Sequence, residues 1–369
     1  MERFLFGLRV ALLTLTAFLP TFASAQTDAR QLEWEKVLQA AKKEGKVVVM
    51  GPPGARVRRV LTEALEKTHP DIKVEFQGGQ GGELAAKLIR EREGDLYTTD
   101  VWIGGFGTLL SLLKPKGVLD PTEPALIVPE VADPKNWRDY KLEFADKDGK
   151  YALVFVNQSG SLFVYNTDLV KLGEVPQSLQ DLLNPKWTGK MIAVDPTTGG
   201  PGRATFTWIY KEIGTEFLQA LGKQKLVFTR DRRDLVEEVA RGAFPLGLAV
   251  SNLDAQPFIA AKAPIKLVWN LKEGSFASAS YGGVALVNRA PHPNAAKVYI
   301  NWLLGKEAQT VLAQAAGWVS RRKDVPPGDP EAVLKPGVKY FKVYLEDNTF
   351  IYRTEGYRRV MKEAFGLGR

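Results

Sequence analysis

The sequence predicts an α/β protein of two domains, each with a largely parallel sheet that helices cover on both faces. Short apolar strands alternate with amphipathic helices from the start: a helix over 32–44, a strand over 46–50, a helix over 57–68 and a strand over 72–76. This alternation is typical of parallel sheets. With 369 residues, the chain is too long for one ordinary core.

The same pattern continues to the end of the chain, without an internal repeat or a low-complexity segment. The other predicted strands are 100–103, 151–156, 161–165, 191–194, 246–250 and 282–287. The other predicted helices are 83–92, 108–113, 179–183, 204–213, 235–241, 293–304, one after Lys306, one around Tyr340 and one over 357–365.

The first 25 residues have the pattern of a secretory signal peptide. A basic start with Arg3 and Arg9 precedes an apolar run over 10–22, and Ala23-Ser24-Ala25 forms a small-residue cleavage site. A membrane anchor is the alternative, but the run is shorter than the roughly 20 residues that span a bilayer. We therefore expect residues 1–25 to be cleaved and the protein to be secreted into the periplasm.

Composition narrows the class of partner. Hydrophobic residues make up 45% and charged residues 25%, as in globular proteins, and the formal net charge is +8. A basic balance suits a small anion, nucleic acid or an anionic membrane surface. No basic stripe interleaved with aromatic residues appears, so we expect no nucleic-acid partner. The chain has no cysteine and hence no disulfide.

Glycine-rich turns mark the candidate ligand site in the first domain. Three successive predicted strands end in such turns, at 51–54, 78–82 and 104–107. In parallel sheets the binding crevice lies at the carboxyl ends of strands, where helix N-termini present free N–H groups to an anion. The residues predicted to line it are Pro53, Gly54, Gly79, Gln80, Gly81, Trp102, Gly104 and Tyr281. Ordinary flexible turns and core aromatics are the alternative interpretation.

A second turn of this kind follows the strand 191–194. Thr197, Thr198, Gly200 and Arg203 combine hydroxyls, free N–H groups and a cation at a helix start, and the turn does not match the G-x-x-x-x-G-K-[ST] phosphate loop. In the first domain Arg56, with Arg58 and Arg59 beside it, offers a guanidinium for a carboxylate or phosphate. We expect two of these three neighbouring arginines to face water.

Six stretches in register resemble the extracellular solute-binding proteins of ABC importers, in the branch that includes ferric-ion-binding periplasmic proteins. They are IKVE at 72–75, GGEL at 81–84, DVW at 100–102, LFVYNTDLV at 162–170, NPKWTGK at 184–190 and HPNAA at 292–296. The resemblance implies a type 2 periplasmic-binding fold, with two α/β lobes, a hinge and a ligand cleft between the lobes. It also implies that a membrane permease receives the ligand.

The resemblance further implies that the chain crosses between lobes more than once. We assign 30–156 and 276–316 to lobe one, and 157–275 and 317–369 to lobe two. Asn157 and Ser159 at the first crossing, Asn252 after a later strand and Arg321 in a segment expected to face the cleft complete the predicted ligand contacts.

Metal binding and catalysis are both disfavoured by the residues present. Ferric transporters of this branch typically hold iron with adjacent tyrosines, but the matching stretch here, Ser280 to Gly283, contains only Tyr281. There is no cysteine nucleophile, no G-x-S-x-G motif and no histidine placed to act as a base. The sequence thus predicts no cofactor, no metal and no enzyme activity, and a small organic anion, a carboxylate or a phosphorylated compound, as ligand. Ferric iron with a synergistic anion and an exported α/β enzyme remain the alternatives.

Overall fold

The computed structural model describes residues 21–367, with side chains from Ala29 onward. Residues 1–20 of the predicted signal peptide, which spans 1–25, lie outside the described residues, and the backbone from Thr21 is helical. No helix in the described part of the chain is long and apolar enough to cross a membrane.

The first part of the chain alternates strands and helices as predicted. Its elements are α1 Thr21–Glu44, β1 Lys46–Gly51, α2 Ala55–Thr68, β2 Lys73–Gly78, α3 Gly81–Glu93, β3 Val101–Gly104, α4 Phe106–Thr108, which continues as a π-helical turn Leu109–Leu113, β4 Leu119–Asp120, α5 Pro129–Ala132, β5 Glu143–Phe144 and β6 Leu153–Val154. A glycine lies between each of the strands β1 and β3 and the helix that follows it. These residues are Gly54, which caps α2, and Gly105, which caps α4.

The middle of the chain builds a second set of strands and helices. Its elements are β7 Gln158–Ser159, β8 Phe163–Asn166, β9 Met191–Val194, α6 Pro201–Trp208, which continues as a π-helical turn Ile209–Ile213, α7 Thr215–Gly222, β10 Val227–Thr229, α8 Arg232–Ala240, β11 Leu246–Leu248, α9 Asn252–Ala260 and β12 Ile265–Val268.

The last part of the chain returns to the first sheet and then extends a tail. Its elements are β13 Ser275–Ser278, β14 Gly283–Val287, α10 Pro293–Leu304, α11 Lys306–Ala316, β15 Tyr340–Lys342, α12 Glu346–Thr349 and α13 Glu355–Phe365. In α10, Ala295, Ala296, Val298, Tyr299 and Leu303 are buried and pack in the core that α1 also contributes to.

Two mixed sheets define two lobes. In lobe one the strand order is β2-β1-β3-β14-β6-β5, with β4 on β14; in lobe two it is β10-β9-β11-β8-β12. Pairing is parallel within β2-β1-β3 and within β10-β9-β11, and antiparallel elsewhere. The sheets therefore contain fewer parallel strand pairs than predicted. In lobe one the reason is that β14 runs antiparallel to β3, with Gly283 paired with Gly104 at the cleft end.

A third, small sheet contains one strand from each of three connections between the lobes. Its order is β15-β13-β7. The strand β7 follows β6 of lobe one and precedes β8 of lobe two, and β13 makes the return passage. Short strands paired in one sheet hold the crossing segments together at the base of the cleft.

The tail differs from the sequence prediction in two ways. Around Tyr340 the predicted helix is wrong: residues Tyr340–Lys342 form a strand, because they pair with β13 and the Tyr340 hydroxyl donates to Asn270 Oδ1 at 2.9 Å. The segment 317–369 is also divided between the lobes. Trp318 packs in the core of lobe one, whereas Tyr357 and Met361 of α13 pack in the core of lobe two.

Candidate functional site

A cleft of about 1290 Å³ lies between the two lobes. Six strand-to-helix turns contribute to its walls: those after β1, β2 and β3 from lobe one, and those after β9, β10 and β11 from lobe two. All six lie at the carboxyl ends of parallel strands, where ligands bind in open α/β sheets.

Six helix N-termini of the described residues therefore face the cleft, those of α2, α3, α4, α6, α8 and α9. Side chains cap only the last two, where Asp231 accepts from Arg233 N and Asp234 N, and Ser251 accepts from Asp254 N. In the described structure the first four have no side-chain cap. Their first N–H groups carry a partial positive charge and suit an anion.

Arg203 occupies the wall of the cleft between two of these turns. A Cβ placed on Gly107 would lie 3.5 Å from its Nη1, and one on Gly199 would lie 4.0 Å from its Nη2. The guanidinium carbon of Arg203 is 3.5 Å from the centroid of the Tyr352 ring, so the guanidinium stacks on this ring in a cation–π contact. The cation thus lies between a helix start of lobe one and a helix start of lobe two.

The charge of Arg203 is not compensated within the described residues. Its Nε is buried without a hydrogen-bond partner, and no carboxylate of that part of the chain pairs with it. Burial lowers the pKa of Arg203, and the neighbouring Tyr352 only partly offsets this effect. A partly buried guanidinium without a carboxylate favours an anionic ligand, because a ligand anion would offset its desolvation.

Tyr352 is held in place beneath Arg203 by lobe one and by its own neighbour. Its hydroxyl lies 3.1 Å from Ser111 Oγ and accepts from Arg353 Nε at 2.9 Å. Burial acts to raise the pKa of Tyr352, but these hydrogen bonds and the charge of Arg203 outweigh burial and lower it. The ring is therefore a fixed platform for the guanidinium.

Arg232 is a second cleft arginine, which the sequence analysis missed. It donates to the Tyr281 hydroxyl at 3.0 Å and to Gln80 Oε1 at 3.2 Å, and Asp254 Oδ2 lies 3.6 Å away. Burial opposes its charge, but Tyr281 and Asp254 raise its pKa above the ordinary value. The available signal was the basic run 230–233 directly after a strand, with Asp231 as a helix cap.

The turns of lobe one lie close together because glycines leave room. A Cβ on Gly81 would lie 2.7 Å from Thr108 Oγ1, so only glycine lets α3 start beside α4. Gly79 N donates to Gly51 O at 3.2 Å, which ties the second turn to the first. Gly54 has φ 113°, a conformation that favours glycine.

Trp102 forms part of the same wall and offers a donor. It is 1% exposed, and its Nε1 has no partner among the described residues. A Cβ on Gly104 would lie 2.6 Å from this nitrogen, so the glycine is needed for the indole to fit. Arg56 lines the cleft at its exposed rim.

The structure brings most of the predicted contacts to the cleft. The residues that line it are Pro53, Gly54, Arg56, Gly79, Gln80, Gly81, Trp102, Gly104, Thr198, Gly200, Arg203, Asn252 and Tyr281. Asn252 is already engaged, because its Nδ2 donates to Gly317 O at 2.9 Å and its Oδ1 accepts from Gln256.

Three predicted contacts lie outside the cleft lining because they stabilise loops and crossings. Ser159 donates to Trp269 O at 3.1 Å within the crossing sheet. Asn157 is buried beside it, and its backbone N–H donates to Val319 O. Thr197 donates through N and Oγ1 to Asp195 Oδ1, which fixes the turn before α6.

The fourth such residue, Arg321, lies in a buried ion cluster of lobe one and does not line the cleft. The side chain is 0% exposed and pairs with Glu143, which Lys342 Nζ also contacts at 2.6 Å and to which the Tyr344 hydroxyl donates at 3.3 Å. A buried charge of this kind needs a charged partner. The cluster attaches the tail to lobe one.

Gly202 sets the position of the helix that carries Arg203. A Cβ there would lie 2.7 Å from Asp195 O and 2.9 Å from Val194 O, both backbone atoms. We therefore expect Gly202→Ala to displace α6 and weaken ligand binding by about tenfold or more, since a misplaced cation loses its hydrogen-bond geometry. Isothermal titration measures the change.

Gly173→Ala is the matched control for this substitution, because nothing lies within 4 Å of a Cβ at that position. Equal affinities for the two variants would contradict the role of Gly202.

No group of three or more His, Cys, Asp or Glu residues in the described part of the chain is arranged to hold a metal ion. The single tyrosine of the 280–283 stretch accepts a hydrogen bond from Arg232. A neighbouring guanidinium repels a cation, so this phenol is poorly placed as an iron ligand.

Comparison with known proteins agrees with this architecture. A Salmonella typhimurium periplasmic protein with 2-aminoethylphosphonate as its proposed ligand is 30% identical over 177 residues, 45% of this chain and 51% of the relative. The Fe(3+)-binding periplasmic protein of Serratia marcescens is 24% identical over 313 residues, 80% of this chain and 86% of the relative.

The solved structure of the periplasmic binding protein AfuA from Actinobacillus pleuropneumoniae, with exogenous fructose-6-phosphate bound, superimposes with a TM-score of 0.65 at 20% identity. The match covers 88% of this chain and 99% of AfuA, and it confirms the predicted two-lobed fold. The family model of bacterial extracellular solute-binding proteins matches residues 61–337. The chain therefore belongs to the bacterial extracellular solute-binding proteins, as the order of its sequence motifs predicted.

Proposed function

We propose that this protein captures a small organic anion with a phosphoryl, phosphonyl or carboxyl group in the periplasm and delivers it to the permease of an ABC importer. The observation that carries the proposal is Arg203, a partly buried cation in the cleft wall whose Nε is buried and which has no carboxylate partner among the described residues. An anion at this position offsets the desolvation of the guanidinium.

The surroundings of Arg203 support a tetrahedral or planar anion. Its Nη atoms lie beside the turns that begin α4 and α6, neither of which has a side-chain cap in the described structure. Free backbone N–H groups and a guanidinium together provide several donors to one group of oxygens. Each charge-assisted hydrogen bond contributes about 1.5 to 3 kcal/mol.

The net charge of the residues that line the cleft also supports an anionic ligand. Five arginines line the cleft, Arg56, Arg203, Arg230, Arg232 and Arg233, against three carboxylates, Glu83, Asp231 and Asp254. The excess of positive charge attracts anions into the opening between the lobes. The printed ligands of two relatives, 2-aminoethylphosphonate and fructose-6-phosphate, are organic anions of this kind.

A thermal-shift panel tests the proposal. We expect 2-aminoethylphosphonate, fructose 6-phosphate or citrate to raise the melting temperature, and glucose, putrescine and Fe(III) to leave it unchanged. A ligand present at 100 times its Kd stabilises the folded state by about 2.7 kcal/mol, which such a scan resolves. Stabilisation by Fe(III) or putrescine alone would contradict the anion proposal.

The described residues of the stretch that matches the ferric-binding proteins do not favour the ferric alternative, although the relative from Serratia marcescens is a Fe(3+)-binding protein. Tyr281 is the tyrosine at the matching position, and Arg232 donates to its hydroxyl at 3.0 Å. We expect no visible tyrosinate-to-iron absorption band when Fe(III) is added to the purified protein. A band that disappears in Tyr281→Phe would support iron binding.

A further inference from the structure

Arg232 joins the two walls of the cleft by direct side-chain contacts, at a different place from the contact between Tyr352 and Ser111. The residue lies at the first position of α8, and α8 packs in the core of lobe two through Leu235 and Val236. Its hydrogen-bond acceptors, the Tyr281 hydroxyl and Gln80 Oε1, both belong to lobe one. These bonds therefore exist only while the lobes are closed.

Asp254 orients the guanidinium from the side of lobe two. Its Oδ2 lies 3.6 Å from Arg232 Nη1 and accepts from Ser251 Oγ at 2.5 Å. Since Ser251 caps α9, the carboxylate is fixed to the end of a helix. Arg232 is thus held extended toward lobe one, and less side-chain entropy is lost when it reaches Tyr281 and Gln80.

We propose that Arg232 is a latch between the lobes, a positioning residue that stabilises the closed arrangement through Tyr281 and Gln80 independently of the ligand. A charged donor that bonds two acceptors across the cleft favours closure by its own contacts, so the closed state is populated before a ligand adds its interactions. The side chain is 14% exposed, which limits competition from water.

The latch affects affinity by changing the population of the closed state. The apparent Kd rises when the fraction of closed molecules falls, since only closed molecules contact the ligand from both lobes. The inference concerns closure alone and does not depend on the chemical class of the ligand.

The absence of cysteine from the chain permits a direct test without background labelling. Glu63→Cys in α2 and Gln219→Cys in α7 place one spin label on the exposed surface of each lobe. Pulsed electron–electron double resonance then measures the distance distribution between the two spin labels in protein to which no ligand has been added.

We expect Arg232→Gln to shift this distribution toward longer distances. Tyr281→Phe removes an acceptor and should shift it in the same direction, and the double variant should open no further than Arg232→Gln alone. Arg232→Lys should also open the cleft, because an ammonium on a flexible stem does not reproduce the fork of a guanidinium.

The matched control is Arg241→Gln, since Arg241 closes the other end of α8, pairs with Glu238 and does not line the cleft. An unchanged distribution in both Arg232→Gln and Tyr281→Phe would overturn the latch. An equal shift in Arg241→Gln would also overturn it, because the opening would then reflect loss of any charge on α8.

Discussion

Arg203→Gln is expected to lower the affinity for an organic phosphate or carboxylate by roughly 30- to 700-fold. The substitution removes the charge of the partly buried cleft cation, whose Nε has no partner in the described residues, while keeping a polar side chain. Loss of one member of a desolvated charge pair costs about 2 to 4 kcal/mol of binding free energy, and every 1.4 kcal/mol is about tenfold in Kd.

Isothermal titration with the anion that gives the largest thermal shift measures this effect. Arg58→Gln is the matched control, because Arg58 is exposed on α2 and does not line the cleft. The folded protein should keep its melting temperature, since no carboxylate of the described chain loses a partner when Arg203 is replaced. An affinity within threefold of the unsubstituted protein would contradict the role assigned to Arg203.

Arg321→Met is expected to destabilise the protein by about 3 kcal/mol, while ligand affinity changes little. The guanidinium is fully buried against Glu143, which is itself 6% exposed. Removing one partner of a buried pair leaves the other charge uncompensated, at a cost of about 3 to 5 kcal/mol. Lys342 remains beside Glu143 and keeps the loss at the lower end.

Urea unfolding followed by circular dichroism measures the change in midpoint. The double variant Arg321→Met/Glu143→Gln should recover part of the lost stability. It removes both charges of the buried pair, so Glu143 no longer leaves an uncompensated carboxylate. The opposite result, a large loss of affinity at unchanged stability, would support the ligand contact that the sequence predicted at this position.

Elements with strong local signals could be predicted from the sequence. The helix α10 begins and ends as predicted because Pro293 occupies its first turn and Gly305 follows its last residue. The strand β9 also has its predicted bounds, since all four residues are apolar and buried. In both cases the residues that set the structure are neighbours in the chain.

Elements that depend on distant partners were missed. The helix α9 contains Pro257 and lacks an amphipathic pattern, so its capping residue Ser251 is the main local sign of a helix. The strand β15 forms because Tyr340–Lys342 meets β13, which lies far away in the sequence. Tertiary pairing decides the conformation of these segments.

The candidate site also contains residues that local sequence signals mark and residues whose role depends on distant partners. The glycine turns of the first lobe and Arg203 could be predicted to lie at the cleft because a strand end and a helix start mark them locally. Arg232 was missed because its acceptors lie 49 and 152 residues away in the sequence. Arg321 was assigned to the cleft because its charge resembles that of a ligand contact, and only packing against Glu143 reveals its structural role.

We propose that the cleft holds an organic anion at Arg203. Native mass spectrometry of the protein isolated from its own cells tests this most directly, because the mass of a retained ligand identifies its class. We expect a bound organic phosphate, phosphonate or carboxylate that is absent from Arg203→Gln and present in Arg58→Gln. Retention of iron or of an uncharged compound, equally in both variants, would contradict it.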